Sequence, residues 1–307
     1  SGILSTRILP SIILLSMLLS QYIPAVAKPL TQGQNNKETA ARIMAQMTTE
    51  EKIGQLFMVT LNGRNVSEDT EIYRLISEYQ VGGVILRADK DNFTGPENTL
   101  EATKTLISGL QQLEYASSVS GNRYKQFIPL LIALAQDGDG YPNDQILSGL
   151  TPLPSQMALG ATWKTEDSQM AGFALGSDLA ALGVNLLIGP SLDVLDSPIQ
   201  EGGDDLNVRS FGGDPFWVGE MGRSFIKGIH EGSAGRVSVF SKSFPGRGAA
   251  DRSLDLEVAT VRKSLEQLKQ IELAPFFAVT NNPDSIENTD GLFVSHIRYQ
   301  GFQGNIR

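Results

Sequence analysis

A chain of 307 residues with 41% hydrophobic content, 31 Gly and 14 Pro can bury one large core and has the composition of an ordinary α/β protein. A formal charge of −9, with no cluster of Lys and Arg, argues against a phosphate-backbone partner, so nucleic acid is not expected and a neutral partner such as a glycan fits better. The chain has no Cys and only two His, His230 and His296, which excludes disulfides and a cysteine triad and argues against a zinc site.

In chain order, Arg7 precedes an apolar run from Ile8 to Leu19, and Ala25-Val26-Ala27 forms an A-x-A cleavage pattern before Lys28. Residues 1–27 are therefore expected to be a signal peptide, and the protein to be secreted or held at the cell envelope. The run is short and broken by Pro10, so membrane contact is expected only through an uncleaved signal segment, if at all. Because the first residue is Ser1, some N-terminal sequence is expected to be missing. Residues 28–36, KPLTQGQNN, have the polar, Pro- and Gly-containing composition of a linker, and the folded domain is expected over 37–307. A first helix follows the linker. Thr48 and Glu51 then form a capping box that opens a second, short helix.

Six apolar runs come next: Phe57 to Leu61, Val81 to Arg87, Pro129 to Gln136, Val184 to Val194, Val237 to Lys242 and Gly291 to Ile297. Between them lie helical segments at Thr70 to Glu78, Thr99 to Tyr115, Thr165 to Leu182 and Asp214 to His230, with one or two more in Leu254 to Thr280. Gly183 is the expected C-terminal stop of the third, and Asp214 with Pro215 starts the fourth. Strand and helix alternating at this spacing predict a parallel sheet, and a (β/α)8 TIM-type barrel fits better than an open doubly wound sheet. Eight strands close such a barrel and about six are visible, so the fold is expected to be a barrel truncated after about six strands, incomplete at the C-terminus.

The stretch from Arg236 to Ser253, RVSVFSKSFPGRGAADRS, carries the most chemistry. Val237, Val239 and Phe240 make a strand bounded by Gly235 and by Pro245-Gly246, and Lys242 stands at its C-terminal end, where parallel α/β proteins bind ligands. A solvated lysine is the plainer reading. The glycines predict that the loop Gly246 to Ser253 is mobile. Gly246-Arg247-Gly248 also imitates the start of a dinucleotide fingerprint, but Asp251 stands where the third glycine belongs.

KSFPGRG resembles the KHFPGHG signature of glycoside hydrolase family 3. Further blocks resemble that family in order: MTTEEKIGQLF, GGVIL, PLLIALAQDGDG, LPSQMALGATW, ALGVNLLIGPSLDV, NVRSFGGDP and FVSHI. The resemblance implies an N-terminal β/α barrel of a β-glucosidase or β-N-acetylhexosaminidase type, retaining hydrolysis of terminal β-linked sugars, a carbohydrate partner, and no metal or organic cofactor. It implies substrate binding for Arg209 in RSFGGDP and for Lys242, and a place facing the mouth for His296. Asp251 corresponds to the aspartate of the hexosaminidase acid/base dyad, and the nucleophile is expected beyond Arg307. Departures fall on the same loop: Ser243 and Arg247 stand where the family has histidines, and Ser253 replaces the histidine of the dyad, leaving it without an imidazole. Ala135 fills the place of the substrate-binding aspartate, with Gln136 and Asp137 following.

Asp193, in PSLDV, stands at a strand end where it either orients a base or binds a hydroxyl, or else caps the next loop or pairs with Arg209. The acidic loop Gln200 to Asp205 reads as solvated, and His296 is otherwise a satisfied loop residue. Asn65-Val66-Ser67 and Asn92-Phe93-Thr94 are glycosylation sequons, meaningful in a eukaryotic source. Two functions remain: an exported glycosidase, or a glycan-binding or scaffold barrel that has lost its acid/base.

Overall fold

The computed structural model describes residues 32–120, 127–138, 140–141, 144–195, 206–252, 258–281 and 285–303. The residues expected to form a signal peptide, the acidic loop and Ser253 lie outside the described residues. The chain divides into two units, residues 1–47 and 48–307. In the first, a helix runs Gln32–Gln46, so it begins inside the stretch expected to be linker. Among the described residues no helix is long and apolar enough to cross a membrane.

The second unit is mixed α/β. Six parallel strands form one sheet: β1 (Met58–Thr60), β2 (Gly83–Ile85), β3 (Leu131–Leu134), β4 (Leu186–Ser191), β5 (Ser238–Phe244) and β7 (Gly291–Val294), with β6 (Thr260–Val261) lying elsewhere. Their order across the sheet is β1-β2-β3-β4-β5-β7, without the reversal that marks a doubly wound sheet, so the strands curl as a half-barrel. Each of the six sits inside an apolar run singled out from the sequence or within two residues of it. β6 pairs in parallel with β8 (Arg298–Tyr299) as a separate two-stranded sheet, which the sequence pattern did not announce because two residues carry no period.

Helix termini follow local chemistry. Thr70 accepts the Tyr73 N–H at the start of Glu71–Ser77, and Asp214 accepts the Trp217 N–H (2.8 Å) at the start of Pro215–Gly232. Thr48 and Glu51 form the reciprocal capping box. Thr165–Leu182 ends on Gly183 at φ 91°, a conformation glycine adopts freely. The predicted helical region Leu254 to Thr280 resolves into Leu265–Gln270 and Ala274–Ala278, preceded by β6. The short helices Gln156–Ala161 and Leu206–Arg209 were not separable from loop by pattern.

Side chains alternate across the strands, so both faces of the sheet are apolar. Ile132, Leu134, Leu187, Val237 and Val239 belong to the main core, which includes Leu175, Leu179, Phe225 and Ile229 from the crossover helices. Ala133, Leu186 and Ile188, with Met58, Ile85, Ala135 and Phe240, form a second cluster on the opposite, inner face. That inner face sets the direction of the site residues: Ala133, Ala135 and Asp137 share one parity, as do Phe240 and Lys242.

One expected surface feature is corrected. Asn92 is fully buried, its amide donates to the carbonyls of Leu61, Gly63 and Lys90, and its Oδ1 accepts the Arg87 N–H. It is a structural bracket and no acceptor for a glycan. Asn65, in the other sequon, is exposed.

Candidate active site

Lys242 ends the inward row of β5, where its Cα pairs in register with Ser191 of β4 and Phe293 of β7. Asp137 follows β3 on the same inner side. The two meet: Lys242 Nζ donates to Asp137 Oδ2 at 2.6 Å, and Arg209 Nη1, at the end of its short helix, lies 3.5 Å from the same oxygen. The Asp137 side chain is 1% exposed, and its other oxygen, Oδ1, has no hydrogen-bond partner among the described residues. A buried carboxylate with one oxygen clasped by cations and one left over is a hydrogen-bond acceptor waiting for an O–H or N–H. The plainer reading of Lys242, a solvated side chain, does not hold: the residue is buried.

The loop that carries Asp137 is organised by a second carboxylate. Asp144 accepts the backbone N–H groups of Asp137 (2.6 Å), Gly138 (3.1 Å) and Gly140 (3.0 Å). Burial pushes the Asp144 carboxyl up and the charge of Asp137 adds to that, against the pull of those three N–H groups. Gln136 completes the loop by exchanging two hydrogen bonds with the Ile146 backbone. Nothing in the sequence singled out Asp144. Its position seven residues after Asp137, in a Gly-rich turn, was the available signal.

Asp193 follows β4 and is fully buried. Its Oδ2 accepts the Ser191 hydroxyl (2.8 Å), its Oδ1 accepts the Arg247 N–H (2.7 Å), and the Arg247 Nε lies 3.5 Å from Oδ2. Its own carbonyl accepts the Ser210 hydroxyl. Of the alternatives left open by the sequence, pairing with Arg209 is not the arrangement found, since Asp193 holds Arg247 and Arg209 turns to Asp137. Ser243 is half-buried between Lys242 and the loop, and the Lys242-Ser243 peptide is cis.

Two expected site residues lie apart from this cluster. Asp251 accepts the Thr260 N–H (2.8 Å) and faces Arg252 (3.3 Å) and Arg262 (3.2 Å). The Thr260 N–H first of all, and the two guanidiniums after it, hold its carboxyl below the usual range in spite of some desolvation. His296 is exposed in the turn between β7 and β8. The loop predicted to be mobile is tied down over its described part: Gly246 N–H bonds to Ser243 O, Ala250 N–H to Arg247 O, and Asp251 N–H to Thr260 O. Among the described residues no three His, Cys, Asp or Glu side chains converge as a metal site would.

Set against known proteins, the N-terminal domain of glycosyl hydrolase family 3 matches residues 48–306. β-Hexosaminidase A of Pseudoalteromonas piscicida is 27% identical over 279 residues, covering 85% of this chain and 42% of that protein. The β-N-acetylglucosaminidase/β-glucosidase of Cellulomonas fimi is 27% identical over 250 residues, covering 80% of this chain and 38% of that protein. The chain thus spans less than half the length of these two relatives. Among solved structures, a family 3 β-N-acetylglucosaminidase from Paenibacillus sp. str. FPU-7 superposes with a TM-score of 0.69 at 30% identity, covering 83% of this chain and 43% of that one.

Proposed function

We propose, because this chain belongs to glycosyl hydrolase family 3, that it forms the sugar-gripping barrel of an exported glycosidase that hydrolyses terminal β-linked sugars, of the N-acetylhexosaminidase or β-glucosidase kind. The observation that carries this reading is the Asp137 carboxylate, buried between Lys242 and Arg209 with one oxygen unpartnered among the described residues. A sugar hydroxyl is donor and acceptor at once and suits a cluster of carboxylate and cations, and the Arg209 side chain, 17% exposed, is the most open part of this one. Hydrolysis with retention further needs a carboxylate nucleophile and a proton donor, and the three gripping residues supply neither, so in the full-length protein both come from other residues. Export is supported by Arg7, the apolar run after it and the Ala25-Val26-Ala27 pattern.

Asp251 falls outside the gripping set. Its carboxyl is held below the usual range by the Thr260 N–H and then by Arg252 and Arg262, which suits a brace and not a proton donor. Ser253 and Arg247 support the second reading, a glycan-binding barrel without turnover: the resemblance puts the dyad's imidazole where Ser253 stands, and Arg247, a guanidinium paired with Asp193, cannot act as a general acid near neutrality. Full-length protein assayed with aryl N-acetyl-β-glucosaminide and aryl β-glucoside decides between them. Turnover of either substrate supports the glycosidase. Binding of the monosaccharide without turnover supports the second reading, and neither binding nor turnover removes both. Recovery of the mature protein from the culture medium or envelope tests export, and retention in the cytosol would contradict it.

A further inference from the structure

Beneath the loop Ser243–Ala250 lies a small core separate from the barrel's. Val261 of β6, Leu268 and Leu273 around the helix Leu265–Gln270, and Tyr299 of β8 are buried together, and Phe244, Ala249 and Ala250 from the loop pack onto them. Gly246 closes the gap on one side: its φ is 116°, and a Cβ there would lie 2.7 Å from Glu272 Cβ. Glu272, wholly buried at its side chain, is held by Lys263 Nζ at 2.6 Å.

Two hydroxyls join this platform to the loop backbone. Tyr299 Oη donates to Gly246 O at 2.9 Å. Ser295 Oγ donates to Phe244 O at 2.9 Å and lies 3.1 Å from Tyr299 Oη, and the Ser295 N–H bonds to the same Phe244 carbonyl at 2.8 Å. The loop residues beside these anchors adjoin the site residues. Ser243 directly follows Lys242, and Arg247 directly follows Gly246 and gives its N–H to Asp193. Burial first, and the nearby charges of Asp193 and Glu272 after it, push Tyr299 up to about 12, so its hydroxyl keeps its proton and remains a donor at any working pH.

We infer that Tyr299 and Ser295 are positioning residues for the sugar site, fixing Ser243 and Arg247 relative to Lys242 and Asp193 by gripping the Gly246 and Phe244 carbonyls. The functional half of this rests on the glycosidase reading above; the mechanical half does not. Among the described residues neither is hydrogen-bonded to Asp137, Lys242 or Arg209. Both act through the loop backbone, which is why a motif centred on that loop does not include them.

The test uses the full-length protein with Tyr299→Phe, which removes only the hydroxyl, and with Ser295→Ala as a second variant should the first fold poorly. Three quantities are read: deuterium uptake in peptides covering Ser243 to Ala250, affinity for N-acetylglucosamine by calorimetry, and the urea midpoint. The expected result is uptake at least tenfold faster in those peptides and affinity about five- to tenfold weaker, with the midpoint close to the parent's. Unchanged uptake in both variants overturns the inference. So does an affinity loss matched by a general loss of stability, since that is what a merely structural tyrosine would give. A parent protein that binds neither N-acetylglucosamine nor glucose contradicts the glycosidase reading, while the exchange data still decide whether the grip exists.

Discussion

Asp137 and Asp251 are both carboxylates facing two cations, and they are built for different work. Asp137 sits at the inner end of β3 with 1% of its side chain exposed, facing Lys242 and Arg209. Asp251 sits on an outer loop with 21% exposed, facing Arg252 and Arg262, and one of its oxygens also accepts a backbone N–H. Out of water, each charge in the first cluster depends on the others, because desolvation makes an unpaired ion costly. In the second, water screens and replaces whatever is lost. The family motif pointed to the second aspartate, whereas burial and a leftover acceptor point to the first. A chemical role follows from the surroundings of a residue more than from its place in a motif.

The comparison can be broken most forcefully at Lys242. Lys242→Ala removes the 2.6 Å partner of a buried carboxylate and should destabilise the full-length protein by about 3–5 kcal/mol in urea unfolding, while lowering sugar affinity. Arg209→Ala is next: the 3.5 Å contact and 17% exposure make it less structural, and the loss of one charge-assisted hydrogen bond, about 1.5–3 kcal/mol, should weaken glycan binding by roughly 10- to 100-fold in a titration. An intermediate environment sharpens the contrast. His230 is held by Asp290 (3.0 Å) and the Ile286 carbonyl; burial opposes its charged form, yet those partners outweigh it, so its pKa is raised, while that of Asp290 is lowered. With the folded value of His230 raised, its contribution is fully present below the unfolded value of about 6.5 and lost as pH rises through the folded one. Asp290 works the other way, contributing above about 3.9 and losing its effect as pH falls through its lowered folded value. Thermal scans should therefore show stability declining as pH rises above about 6.5, a decline that His230→Gln flattens. The smallest effect belongs to Asp251→Asn, where urea unfolding should not resolve a change.

Much of the fold was legible in the sequence because parallel strands buried on both faces are continuous apolar runs, and Gly, Pro and capping residues punctuate them. All six main strands follow from that, as does the helix between Asp214 and Gly232. β6 and β8 escaped notice since their stability comes from Leu268, Leu273 and Tyr299 packing around them and not from local pattern. At the site, Lys242 was readable as a cation at a strand end, Asp137 as a carboxylate just past one, and Arg209 through the family resemblance. Their convergence was not, because Asp137 and Lys242 are 105 residues apart and meet only through the shared inner face. The roles of the loop glycines were hidden for a related reason: Gly246 and Gly248 lie too close to Glu272 and to the Val194 carbonyl for a side chain.

The central claim, that Asp137 and not Asp251 belongs to the sugar-binding site, is tested most directly by titrating N-acetylglucosamine into full-length parent, Asp137→Asn and Asp251→Asn. Asparagine keeps the shape of each side chain and removes its charge; because Asp137→Asn leaves buried Lys242 without its counter-ion, the urea midpoint of each variant is read beside the titration so that lost folding is not counted as lost binding. The expected result is parent-like affinity for Asp251→Asn, within about twofold, and at least a tenfold loss for Asp137→Asn, as expected when a charge-assisted hydrogen bond is removed. Parent-like binding by Asp137→Asn together with lost binding by Asp251→Asn would contradict it and return the site to the outer loop.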